Sequence, residues 1–284
     1  MNAFDPCHLE NPIPLVLTIA GSDPSGGAGI QGDIKAIEAN GAFALSVITA
    51  VTAQNSVEFQ TGHDLPLQII KAQMQSLFED FRISAVKTGM LSSKAIVKCV
   101  AALLKKAKIP NIVVDPVMRS KDQSTLLKTD ALKIFKKELI PLATLLTPNV
   151  AEAEIFTGQK IRTISDAENA ARNISKLGGA AVLIKGGHLS AAPAHDILFD
   201  GHDISHFRGE FINSPHTHGT GCTYASAIAT QLALGKPLKE AVAAAKDYVT
   251  EAIRHGLNIG RGQGPTDHFY FLRRKEGESE TPIR

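Results

Sequence analysis

Cysteine occurs only three times in this sequence, as Cys7, Cys99 and Cys222, and no two of them stand in a C-x-x-C spacing. No disulfide framework is indicated, and an odd thiol count points to a reducing, cytoplasmic setting. No stretch approaches the ~18 consecutive apolar residues that a membrane-spanning helix needs. Residues 1–14 hold no basic region followed by an apolar run, so the sequence predicts neither membrane insertion nor secretion. An excess of either charge is missing too: 30 basic and 28 acidic residues leave a net +2. That gives no global footprint for nucleic acid or an anionic membrane, so any anion site must be local.

What is present is an ordinary globular composition, 44% hydrophobic and 20% charged, over 284 residues. Such a length allows one large α/β domain or two small ones. With neither an internal repeat nor a linker inside 15–272, we read one domain over 13–272, an N-terminal extension over 1–12 and a disordered polar tail over 273–284. From Leu15 onward, short β-branched runs alternate with turns and stretches at helical spacing, the rhythm of parallel strands with helical crossovers. Strands are expected at 15–20, 43–52, 83–87, 111–114, 144–147 and 180–185, and helices at 29–39, 66–78, 93–106 and 166–176. Their near-continuous apolarity suits a sheet covered on both faces. Asp200-Gly201 between two apolar runs predicts an antiparallel edge hairpin with a type I′ turn, and two Ala-rich helices, 222–234 and 238–255, follow.

Ligands of open α/β sheets collect at the carboxyl ends of the strands. The first strand runs into Gly21-Ser-Asp-Pro-Ser-Gly-Gly-Ala-Gly29, which brings backbone close to whatever sits above the sheet or makes a tight turn only. It is neither G-x-G-x-x-G nor a P-loop, so a dinucleotide-binding oxidoreductase is set aside. Asp33 follows in the helix as a dipole-compensating or a functional carboxylate. Gln54 ends the second strand, offering an amide to a heteroaromatic ring or to a turn. Asp115 ends another strand. Asn149-Val-Ala-Glu152 fits either a pair of oxygen ligands for Mg²⁺ or an N-cap with its reciprocating Glu. Lys185-Gly-Gly-His188 brings an ammonium to a strand end, for phosphate or for solvent. His216 and His218 find no third ligand at metal-site spacing. Gly219-Thr220-Gly221-Cys222 runs straight into a helix, whose terminus would stabilise a phosphoryl group. Cys222 is there either a low-pKa base or an inert thiol.

Together AGSDPSGGAGIQGD, VITAVTAQN, KTGML, VVDPVM, TPNVAEAE, LIKGGH, HGTGCT and GQGPTDHF, in this order over roughly 13–270, resemble the hydroxymethylpyrimidine/phosphomethylpyrimidine kinases of thiamine biosynthesis. That family has the ribokinase-like fold. The resemblance implies an ATP- and Mg²⁺-dependent homodimer that phosphorylates the hydroxymethylpyrimidine and then its monophosphate. It implies that Asp33 and Gln54 bind the aminopyrimidine, with Gly21, Met90 and Val117 lining its site. Asp115, Asn149, Thr220 and Glu152 would organise nucleotide and Mg²⁺, Lys185 would contact phosphate, Gly219 and Gly221 would form an anion hole, and Cys222 would be the base. One departure is a flap, 119–125, that lacks the family's Ser-Gly, which touches the roles of Arg119 and Lys121 in closure. Pyridoxal kinase is the neighbouring alternative, and a non-catalytic pyrimidine-binding protein the alternative of a different class.

Overall fold

The computed structural model describes residues 13–118, 129–187 and 193–273. Cys7, His188, the extension 1–12, the flap 119–125 and the tail beyond Arg273 lie outside the described residues. The chain runs β1 (Leu15–Ala20), α1 (Gly29–Ala39), β2 (Phe43–Ile48), β3 (Ala50–Gln54), β4 (Phe59–Asp64), α2 (Leu67–Asp80), β5 (Ala85–Thr88), α3 (Lys94–Ala107) and β6 (Ile112–Val114). After α4 (Thr129–Ile134) and two short helical turns come β7 (Leu145–Leu146), α5 (Val150–Thr157), α6 (Ile164–Ser175), β8 (Ala181–Ile184), β9 (His195–Phe199), β10 (Ile204–Arg208), α7 (Thr220–Ala233) and α8 (Leu238–Arg254). No described helix is long and apolar enough to cross a membrane.

Eight strands form one sheet in the order β10-β9-β8-β7-β6-β5-β1-β2. All neighbours are parallel except β9, which runs against both β8 and β10. The order reverses at β1, with β2 on one side and β5 on the other, so the crevice beyond β1 and β5 is the expected place for a ligand. Alternation along the strands divides the core. Leu17, Ile19, Val86 and Val114 pack on the face covered by α2 to α6, while Val16, Ala85, Val113 and Leu183 pack under α1, α7 and α8. This is the ribokinase-like architecture.

Two expectations need correction. The run 43–52 is not one strand: β2 ends at Ile48, Thr49 gives its N–H to Ala20, and β3 leaves to pair with β4 as a separate antiparallel ribbon. A continuous apolar run does not reveal a change of pairing partner, and β4 is too polar and exposed to signal itself. The edge hairpin forms, but around a four-residue loop, 200–203, rather than a type I′ turn. Gly201 alone has a positive φ there, 103°. Asp200 Oδ1 accepts the His202 and Asp203 N–H groups, so a second left-handed residue is not required.

The second face holds a polar node inside apolar surroundings. Asp33 of α1 and Lys87 of β5 are both 0% exposed. Lys87 Nζ lies 2.8 Å from each Asp33 oxygen, and Thr18 of β1 (2.6 Å) and Ser226 of α7 (2.9 Å) donate to the same carboxylate. Burial works against the ammonium, and the Asp33 charge overrides it, holding Lys87 above its usual range. Lys87→Met strands the carboxylate with two hydroxyls, and the expected loss in urea unfolding is ~3–5 kcal/mol. Adding Asp33→Leu should recover part of that loss. A single-mutant loss near zero would show that the pair does not hold these four elements.

Candidate active site

The site begins with backbone that only glycine can supply. A Cβ on Gly21 would collide with the Met90 methyl, so the chain ends of β1 and β5 meet in contact at the switch point. Gly29 enters α1 with φ +53°, and a Cβ there would stand 2.5 Å from the Gly21 carbonyl oxygen. Gly219, with φ +80°, caps α7, and a Cβ on it would strike the Gly27 carbonyl. Two loops, 21–29 and 217–221, therefore lie backbone to backbone. In the first turn of α7 the amides of Gly221 and Cys222 have no carbonyl four residues back within the helix and stand at its positive end, while the Thr220 N–H bonds the Thr217 carbonyl at 3.3 Å.

Beside that helix end stand the groups that follow β6, β7 and β8. Lys185 Nζ is 2.7 Å from Asp115 Oδ1 and would be 3.3 Å from a Cβ on Gly221. Thr147 Oγ1 donates to the same Asp115 oxygen at 3.1 Å, and Val117 N–H bonds the Asp115 carbonyl. Burial opposes the Lys185 charge, and Asp115 and Glu152 hold the ammonium above its usual range. Asn149 and Glu152 make a complete capping box on α5, each side chain accepting the other's backbone N–H at 2.9 Å. Glu152 also faces Lys185 and Asp115. Burial drives its carboxyl up to about 7, with Lys185 pulling it down and Asp115 pushing it up. The cap and the charge cluster are one arrangement.

β3 is stitched to the first loop, because Ser22 N–H bonds Ala50 and Thr52 Oγ1 bonds Ser22. Gln54 ends that strand at a register shift in the β3–β4 ladder, a feature that re-aims a side chain, and its amide favours the ionised form of Asp23. Asp23, 1% exposed, accepts from Ser25 N–H and Oγ, from Ala28 N–H and from His218 Nε2 at 2.8 Å. Burial works to raise its carboxyl, and the bonds from His218, Ser25 and Gln54 overcome it, so the group stays ionised well below the usual range. Thr220 turns its hydroxyl back onto the Thr217 carbonyl.

Two sequence expectations fail here for physical reasons. Asp33 is turned into the core, where both its oxygens are filled by Lys87, Thr18 and Ser226 in the buried node. Cys222 is not a low-pKa thiol. Burial drives it up to about 11, outweighing Lys87 below it and a Gly29 N–H on the sulfur, while Asp33 and Asp115 add to the rise. Gly21 and Met90 are brought together at the switch point, and Asp115, Asn149, Glu152, Lys185, Gly219, Thr220 and Gly221 around the start of α7. Residue-by-residue reading missed Lys87 and Asp23, and weighed the His218 side chain only as a metal ligand. A signal existed for the first: Lys87 closes an apolar strand, and Asp33 falls on the Ile30, Ala36, Ile37 stripe of α1, so each needed a buried partner.

A ribokinase-like sheet with an anion-binding helix end, an ammonium and two carboxylates at its carboxyl edge defines a small-molecule kinase class. Residues 23–267 match the family model described as phosphomethylpyrimidine kinase, and the chain belongs to that family. It is 48% identical over 259 residues to the hydroxymethylpyrimidine/phosphomethylpyrimidine kinase of Streptomyces coelicolor, covering 91% of this chain and 96% of that one. It is 47% identical over 254 residues to a thiamine biosynthesis bifunctional protein of Geobacter sulfurreducens, covering 89% of this chain but only 52% of that protein's length. A solved pyridoxal kinase of Staphylococcus aureus in complex with AMP-PCP and pyridoxal superposes with a TM-score of 0.84 at 32% identity, covering 92% of this chain and 96% of that one.

The Glu152 carboxyl yields a pH test. Its folded-state value, about 7, stands above the ordinary 4.5. Between the two the folded protein holds a proton that the unfolded chain releases, so the contribution is full below pH 4.5 and is lost as pH rises through about 7. Relative to Glu152→Gln, the wild-type urea midpoint should therefore fall between pH 5 and pH 8. An equal difference at both values would mean that the group titrates normally.

Proposed function

We propose that this chain is an ATP-dependent kinase that phosphorylates 4-amino-5-hydroxymethyl-2-methylpyrimidine, and then the resulting monophosphate to the diphosphate, in thiamine diphosphate biosynthesis. One observation carries this: the contact of Gly21 with Met90 at the switch point, under the ribbon that ends in Gln54, adjoins the α7 terminus with Lys185 and Cys222. The groups read as holding the acceptor and those read as binding the anion would then share one crevice. Met90, Gly21 and Val117 would bound the ring, and Gln54 would read its nitrogen edge. Lys185 and the amides of Gly219 and Gly221 would neutralise the γ-phosphate, with Asp115, Asn149 and Thr220 organising the nucleotide. The free thiols of Cys99 and Cys222 fit a cytoplasmic setting.

Mg²⁺ in such sites needs one or two carboxylates, with water and phosphate completing its shell. Among the described residues no group of three His, Cys, Asp or Glu gathers into an all-protein cage. Asp115 and Glu152 fit the open kind of site, because two mutually repelling acids crowd one ammonium there. They would hold the ion, Glu152 through water, and bound Mg²⁺ supplies neutralisation of phosphate charge. Val51 and Val57, exposed on and beside the β3–β4 ribbon, support a homodimer. Sedimentation should then give twice 30.2 kDa.

Because its thiol stands near 11, Cys222 enters the first reaction protonated, and only its thiolate can accept the hydroxyl proton. If it is the base, kcat/KM for the hydroxymethyl acceptor rises with pH from 7 toward 10. The monophosphate acceptor is already anionic, so its rate stays flat over the same range. Cys222→Ser should impair the first step more than the second, and equal losses would place the proton elsewhere. The deciding assay incubates the protein with the hydroxymethylpyrimidine and Mg-ATP and identifies mono- and diphosphate by mass. Pyridoxal is the second reading, favoured by the Staphylococcus aureus superposition, and a higher kcat/KM for pyridoxal would overturn the pyrimidine assignment.

A further inference from the structure

The acceptor side and the phosphoryl side of the crevice are joined by a contact that the transfer itself does not use. His218 Nε2 lies 2.8 Å from Asp23 Oδ2, with Ser25 Oγ 3.5 Å from the same ring nitrogen. Asp23 belongs to the loop that begins at Gly21, and its carboxylate also accepts from the Ser25 and Ala28 N–H groups of that loop. His218 immediately precedes Gly219, the residue whose left-handed backbone aims the first turn of α7. On its other side His218 is held by backbone: its N–H bonds Gly264, its carbonyl accepts from Thr266, and it bridges Pro265. The contact is enclosed, with Asp23 1% exposed and the His218 ring seated where a Cβ on Gly27 would stand 2.5 Å from its Cδ2.

We propose that Asp23 and His218 are positioning residues, whose hydrogen bond fixes the distance between the acceptor-holding loop 21–29 and the anion-binding start of α7. That bond is the shortest polar contact described between them: Ser25 Oγ stands farther from the same ring nitrogen, the Gly29 N–H faces the Cys222 sulfur, and Gly27 approaches Gly219 backbone against backbone. An ionised carboxylate only accepts, so the imidazole must present N–H at Nε2 and cannot rotate away without abandoning a buried charge. In-line transfer depends steeply on such a distance, since a misplacement of ~1 Å costs on the order of 100-fold in rate. The inference rests on the kinase reading above.

His218→Ala tests it without dismantling the loop, because Asp23 keeps Ser25 N–H, Ser25 Oγ and Ala28 N–H as donors. The expected result is a kcat lower by roughly 10- to 100-fold, a KM for ATP within about twofold of wild type, and more ADP released per phosphorylated product. His218→Gln, whose amide N–H can reach the Nε2 position, should restore most of both. Gly27→Ala, which pushes on the ring and leaves both polar groups in place, should reproduce the loss of coupling. Wild-type coupling in His218→Ala, or a loss that His218→Gln shares in full, would overturn the proposal. If the wild-type protein phosphorylates neither the pyrimidine nor pyridoxal, the kinase reading fails and the positioning role falls with it.

Discussion

The buried pairing of Asp33 with Lys87 is the constraint on which the site depends. Two full charges lie in an apolar layer, and a well-packed hydrophobic replacement for such a pair is commonly neutral or better for stability. What apolar residues could not supply is direction. Thr18, Lys87 and Ser226 meet one carboxylate from β1, β5 and α7, while α1 carries that carboxylate. Four bonds of 2.6 to 2.9 Å therefore fix the register of two central strands against two helices. Those are the strands of the switch point and the helices whose N-termini face the crevice. A slip of either helix by one residue would break the node, so the node sets where Gly29 and Gly219 stand.

Above the node, the charges at the carboxyl edge are arranged by scarcity of solvent. Lys185 is shared between Asp115 and Glu152, and Glu152 is simultaneously the reciprocating member of a capping box. Capping and ligand-organising chemistry are often treated as alternatives for an Asn-x-x-Glu pattern. Here the box orients the carboxyl, its burial raises it, and the same orientation turns it toward the ammonium. A group with a value near 7 responds to a change of charge nearby. An anion placed beside Lys185 would shift that balance.

Much of the fold was legible because it rests on periodicity. β1 and α1 were readable to the residue, and the parallel rhythm, the edge hairpin and the closing helix pair followed from apolar spacing and turn residues. What escaped depended on partners distant in the chain. The β3–β4 ribbon needs a strand with almost no apolar signal, and Gln54 is presented by that ribbon rather than by the main sheet. The Asp23 to His218 bond joins positions 195 residues apart, and each lies in a glycine-rich loop whose local text explains itself as a turn. Asp33 was misread for the converse reason: its place in a conspicuous motif hid its place on the buried stripe of α1.

Cys222 shows how tertiary context decides between two sound local rules. A helix N-terminus lowers a thiol's pKa through its partial charge, an effect worth about 0.3–1 kcal/mol at an exposed site. Burial opposes it, and the rise from 9.0 to about 11 corresponds to roughly 3 kcal/mol against the thiolate. Lys87 pulls the other way from directly beneath, but its charge is already divided between both oxygens of Asp33. The node that fixes the geometry of α7 thus withholds the cation that would ionise its cysteine. Geometry and acidity at this position compete for one ammonium, and geometry has taken it.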